Sequence, residues 1–178
     1  MKQHIDVFDY AGHICKAMKK GVLLTTASGE TVNTMTIGWG MIGIEWNRPV
    51  FIAYVRETRY TKQLLEGNGE FTVNVPFGDY DSDILRFCGT KSGRDVDKIS
   101  KMGLSLVESE HISVPGIKEF PLTLECKVIY SQKQNVHTLP KTITDRFYPV
   151  MDDQGFRDYH IAYYGEILDA YILNENGI

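Results

Sequence analysis

Short runs of β-branched and aromatic residues, cut by glycine, asparagine and proline, fill the first half of the chain. VLLTTA (Val22 to Ala27), TVNTMTIGWGMIGI (Thr31 to Ile44), PVFIAYV (Pro49 to Val55) and EFTVNV (Glu70 to Val75) read as successive strands, with turn signals at Ser28-Gly29 and Asn47-Arg48-Pro49. Together they predict a β-meander. Two stretches follow helical spacing instead. Ala11, Ile14, Cys15 and Met18 share one helical face ahead of Gly21, and Thr58 is placed to cap a helix that carries Leu64 and Leu65 and ends at Gly67. Beyond Pro76 the pattern turns to shorter polar segments, among them SGRDVDKISKMG, a helix entered from Ser92-Gly93 and ended by Gly103. Strands resume at Pro121 to Gln132 and at Tyr159 to Leu173. Between them, Thr138 to Gly155 has no clear period and carries two prolines, which marks a lid or a partner-contacting excursion. Many short strands with few helices predict a mainly β fold, a small β-barrel or a sandwich.

One motif argues for something else. GWGMIG, Gly38 to Gly43, has the G-x-G-x-x-G spacing of a dinucleotide-binding turn. That turn needs a helix after it, whose first amides meet the pyrophosphate. Here IEWNRPVFIAYV follows, with Pro49 and then a further strand, so the Rossmann reading fails and the glycines belong to a bend or a close approach within a β-strand.

Composition narrows the class. The 178 residues suit a single domain over 1–178, 43% hydrophobic and 24% charged, and a packed core is expected. The formal net charge is -4, and the lysines and arginines are dispersed, which argues against a nucleic-acid or anionic-membrane partner. Neither a signal-type apolar start nor an 18-residue apolar run is present, so a cytoplasmic protein is expected. Cys15, Cys88 and Cys126 are far apart, and the five histidines lack ligand spacing, so no metal site is expected.

Three segments carry residues that a core does not need. VRETRYTK places Arg56, Thr58, Arg59, Thr61 and Lys62 at a strand-to-helix junction, where guanidinium groups, hydroxyls and a helix N-terminus are the parts of a phosphate site. A capped helix with a solvated basic face explains the same residues equally well. FCGTKSGRDVDK (Phe87 to Lys98) reads as a loop whose small residues let a flat ligand approach the backbone, with Cys88 beside it rather than acting as a nucleophile. The plainer reading is a helix cap at Ser92 with surface charges. TVNTMTIGWG would put Asn33, Met35, Ile37 and Trp39 on one strand face and Thr34 and Thr36 on the other, which suits either hydrogen bonds to a heteroaromatic edge or an outward threonine ladder.

Taken together, NTMTIGWG, the W-x-x-P turn at Trp46 to Pro49, YVRETRYT, EFTVNVP, CGTKSGRDVDK and DYHIAYYGEILDAY resemble the flavin reductase-like family, which includes flavoredoxin. The resemblance covers nearly the whole chain. It implies an FMN-binding split β-barrel of Greek-key type with short helices, assembled as a homodimer. By the same resemblance Arg56, Thr58, Arg59 and Thr61 would hold the FMN phosphate. Thr34, Met35 and Thr36 would line the isoalloxazine edge with Trp39 nearby. Cys88, Gly89, Thr90, Ser92 and Gly93 would pack along the ring system, Lys98 would support that loop, and Tyr159 and His160 would close the pocket. The implied activity is an NAD(P)H-dependent reductase passing electrons through FMN to a small-molecule or protein acceptor, with no catalytic triad, since the cofactor carries the chemistry. An FMN electron-transfer protein reduced by a partner, and a barrel that binds no flavin, are the competing readings.

Overall fold

The computed structural model describes residues 1–174. Among the described residues ten strands form: β1 (Lys2–His4), β2 (Val22–Ser28), β3 (Thr31–Ile37), β4 (Gly40–Glu45), β5 (Arg48–Arg56), β6 (Glu70–Val75), β7 (Leu106–Val107), β8 (Gly116–Ile117), β9 (Leu122–Lys133) and β10 (His160–Leu173). The helices are α1 (Ala11–Met18), α2 (Tyr60–Asn68), α3 (Ser82–Thr90), α4 (Lys98–Met102) and α5 (Lys141–Phe147). The mainly β class with short helices is therefore as expected.

The meander is not. Eight strands make one antiparallel sheet in the order β3-β2-β6-β9-β10-β5-β4, with β1 paired to β10, and β7 and β8 form a separate ribbon. The stretch read as one strand from Thr31 to Ile44 breaks at Gly38-Trp39, and its halves lie at opposite ends of the path. Three residue steps span at most about 11 Å, so the two ends of the sheet are held close and the sheet must roll up. Among the described residues β3 and β4 share no ladder, which leaves the roll open along that seam.

Hairpin chemistry sets β4 and β5. Glu45 pairs Arg48 across Trp46 (φ 51) and Asn47 (φ 58), and the left-handed conformation at both central residues matches a type I′ turn, which follows the strand twist. Inside the roll, Leu24, Phe51, Phe71, Val73, Leu124 and Cys126 are fully buried, and α1 adds Ile14 and Met18. Cys15 faces out instead, one position off the buried stripe. Gly40 is required at the seam, because a Cβ there would lie 2.8 Å from the Phe51 ring and 2.9 Å from the Met18 sulfur.

Several helix boundaries differ from the sequence reading. Thr58 does not cap α2. Arg59 occupies the cap position with no side-chain cap, and the helix runs past Gly67 to a left-handed Gly69. Helix α3 extends through Cys88, Gly89 and Thr90, which the sequence placed in a loop. α4 begins only at Lys98, capped by Asp97 rather than entered from Ser92. Asp97 accepts the Ser100 amide at 3.1 Å, whereas the Ser92 hydroxyl accepts the Arg94 amide within the preceding turn. The excursion contains a short helix of its own, α5.

Candidate functional site

Where β5 ends and α2 begins, the chain turns beneath the loop joining α3 to α4 and leaves a cleft of about 340 Å³. Arg59 of the turn and Arg94 of the loop both border it. Because Arg59 supplies no side-chain cap, the first amides of α2, at Tyr60 and Thr61, keep their hydrogen-bonding capacity for a ligand. Arg94 is held by a 3.1 Å bond to the Thr58 carbonyl and by stacking 5.2 Å from the Tyr60 ring centroid. Lys91, Ser92, Gly93 and Lys98 complete this end. Five cations, Arg56, Arg59, Lys91, Arg94 and Lys98, face it against a single carboxylate, Asp158. That balance, at an uncapped helix start, suits a phosphomonoester.

Gly93 is what lets the loop approach so closely. A Cβ there would sit 2.1 Å from the Asn33 side-chain oxygen and 2.9 Å from the Tyr60 ring. Asn33 in turn donates to the buried Thr61 hydroxyl at 2.8 Å, tying β3 to α2. Lys98 is buried with its ammonium on two carbonyls, Thr34 and Cys88, each at 2.9 Å. Burial pushes its pKa down to about 8, the Cys88 thiol opposes this, and the Arg59 charge adds to it. Burial also raises the Cys88 thiol, which stays protonated and unreactive at neutral pH.

A second chamber of about 150 Å³ continues from the first, sharing Met35, Arg56 and Arg59 with it. Thr36, Gly38, Trp39, Tyr54 and His160 finish its wall. The Thr36 hydroxyl is committed to the Leu85 carbonyl at 2.6 Å. Trp39, 40% exposed, lies edge-on to Phe147 at 5.3 Å and 4.8 Å from the His160 ring. Burial and the nearby Arg56 depress His160 to about 4, so it is neutral at physiological pH.

Not every residue named from sequence borders the cleft. Arg56 and Thr58 do, but they are already engaged. Arg56 donates to the Asp158 and Phe147 carbonyls at 2.7 and 3.0 Å, and the Thr58 amide and hydroxyl both bind the Asp158 carboxylate, at 3.0 and 2.7 Å. Thr34 points its hydroxyl at Thr25 and the Leu24 carbonyl, and only its own carbonyl serves the site, through Lys98. Cys88 and Gly89 lie in α3, Gly89 packing behind Thr36. Thr90 bonds back to the Arg86 carbonyl at the helix end. Tyr159 stacks 4.8 Å from Tyr148 instead of lining either chamber. Sequence reasoning missed Asn33 as a tie, Asp158 as the anchor of Thr58, and Tyr148 and Gln134 around His160. Asp158 is the first residue of the quoted DYHIAYYGEILDAY and was findable, whereas Tyr148 lies in a stretch with no periodicity. A larger cavity of about 1200 Å³ near Met1, Phe77 and Tyr80 contains none of these groups, and it presents no comparable cluster of cations.

Known proteins share the family and the fold. The family described as "Flavin reductase like domain" matches residues 15–177. An uncharacterised protein of Archaeoglobus fulgidus is 34% identical over 116 residues, 65% of this chain and 64% of that protein, so the match spans less than two thirds of the relative's length. The flavoredoxin structure from Methanosarcina acetivorans is 26% identical with a TM-score of 0.65, over 89% of this chain and 70% of that one. The NADH:FAD oxidoreductase structure from Streptomyces globisporus shares the fold at 18% identity, TM-score 0.62, over 86% and 75%. Further structures with the same fold are FMN-binding proteins.

Proposed function

The chain belongs to the flavin reductase like domain family, and on that premise we propose that it is an FMN-dependent oxidoreductase, reduced by NAD(P)H and passing electrons to a small-molecule or protein acceptor. The observation that carries this reading is the two-chamber cleft, cationic with open helix amides at one end and aromatic at the other. Its donor set fits FMN: Arg59, Arg94, Ser92 and the α2 amides would hold the phosphate, and the chamber that Met35 and Trp39 line would take the flat ring. When bound, the flavin supplies hydride and electron transfer. The protein's share is positioning and charge. Arg59 borders both chambers and offers a fixed positive charge to the ring as well as to the phosphate. Trp39 packs edge-on against Phe147 at the ring end, and neutral His160 adds no further charge to the two guanidinium groups, Arg56 and Arg59, that border it.

The same reading takes the molecule as a homodimer. Met41, Ile52, Tyr164 and Tyr130 lie opposite one another across β4, β5, β10 and β9, so they share the outer face that carries Tyr54 and His160. Met41 is 55% and Tyr130 43% exposed, with Trp46 beside them at 56%. A second copy over this face would also cover the mouth of the aromatic chamber.

The test is spectroscopic. Purified protein reconstituted with FMN should be yellow and should bleach anaerobically on addition of NADH or NADPH. Arg59→Ala should weaken FMN about 10- to 100-fold, the loss of one charge-assisted contact. A protein that takes up no FMN sinks the reading. Slow bleaching by both nicotinamides, but rapid bleaching by a reduced electron-carrier protein, transfers it to the partner-reduced alternative.

A further inference from the structure

His160 is held by a hydrogen-bond chain whose direction can be worked out atom by atom. The His160 backbone amide, which can only donate, points at the Gln134 side-chain oxygen at 3.4 Å. That places an acceptor there, and the Tyr148 hydroxyl donates to the same oxygen at 2.8 Å. A phenol has one proton. With it spent on Gln134, Tyr148 can only accept from His160 Nδ1, which lies 2.8 Å away. Nδ1 therefore carries the imidazole proton and Nε2 is bare.

Nε2 has no partner among the described residues, nor is it among the fully buried unsatisfied atoms, so it opens into the chamber that His160 borders. The charges around the ring favour the neutral form: Arg56 and Arg59 oppose protonation and outweigh Asp158. Trp39, Tyr54 and Tyr148 face it from the other elements, all uncharged.

We propose that Gln134 and Tyr148 are positioning residues that lock His160 as its Nδ1–H tautomer, so that the aromatic end of the cleft selects a planar ligand presenting an N–H or O–H donor to Nε2. The tautomer rests on hydrogen bonding alone. The ligand preference rests on the cleft being the functional site, as proposed above. Gln134 follows directly on β9 and Tyr148 follows α5 within the excursion, so the excursion, through Tyr148, helps determine which nitrogen is free. It thereby acts on specificity without touching the ligand.

Nitrogen-15 histidine spectra of the full-length, flavin-free chain test the lock directly. At pH 7 the His160 signals should show Nδ1 protonated and Nε2 bare. Tyr148→Phe and Gln134→Leu should each move His160 to a mixture of tautomers, while Gln134→Glu, which keeps the acceptor oxygen, should restore the wild-type signals. Phenol should shift the Nε2 resonance and bind at least fivefold more tightly than fluorobenzene, which has similar size and no donor. In Tyr148→Phe that ratio should fall toward one. A wild-type spectrum with Nε2 protonated overturns the proposal whether or not either variant folds. Equal binding of the two probes overturns the ligand preference. Since these readings need no flavin, they stand apart from the FMN titration, which judges the proposed function.

Discussion

Gly93 and Lys98 show how single residues set the cationic end of the cleft. Replacing Gly93 by alanine puts a methyl group 2.1 Å from the Asn33 oxygen, so the loop has to move away from β3. The expected cost is about 1–3 kcal/mol, seen as a Tm lower by several degrees together with weaker FMN binding. At Lys98 the sign follows from burial. Its pKa falls from 10.5 to about 8, so the cleft loses one positive charge as pH rises through that value. Titration with sulfate, whose double negative charge does not change over this range, should give affinity that declines between about pH 7 and pH 9, and constant affinity over that range would refute a charged Lys98 at the site. The glycine was legible in CGTKSG as a close-approach residue, but which atoms it approaches was not. Asn33 lies sixty positions upstream, and only the fold brings it there.

At the scale of elements, the excursion and the turn before α2 form one unit. Asp158 binds Thr58 through both oxygens, while Arg56 reaches back to the Phe147 and Asp158 carbonyls. Asp158→Ala should release this latch. Hydrogen exchange should quicken at Thr58 and across residues 141–158, and the amides of β2 and β6 should be unchanged. Strands β2, β5, β6, β9 and β10 were readable to within a residue or two, because alternation and turn residues are local signals. The failures have local causes as well. Cys88 to Thr90 read as a loop because Gly89 and the following Ser-Gly mimic one, yet Ile84, Leu85 and Cys88 bury one face of α3 and carry the helix on to Thr90. The two-residue strands β7 and β8 are too short to leave a pattern.

For the whole molecule, the rolled sheet places an apolar row of Met41, Ile52, Tyr164 and Tyr130 on the outer face next to the aromatic chamber. Sedimentation equilibrium should find a dimer, and Trp46→Glu combined with Tyr130→Glu should give a folded monomer; a wild-type monomer would exclude this assembly. Periodicity, turn residues and the failed glycine motif were enough to determine a mainly β chain with no Rossmann unit, and the RETRYT and CGTKSG segments marked residues that border the cationic cleft. Local sequence carries such information because strand alternation, helix spacing and turn conformation depend on neighbours a few positions apart. Which strands pair was decided by the tertiary structure alone. The break at Gly38-Trp39 sends β3 and β4 to opposite ends of one sheet, and that closure brings residues 33, 61, 93, 98 and 160 to a single cleft. The tautomer of His160 has the same origin, since it depends on Gln134 and Tyr148 meeting across an excursion that no short-range pattern describes.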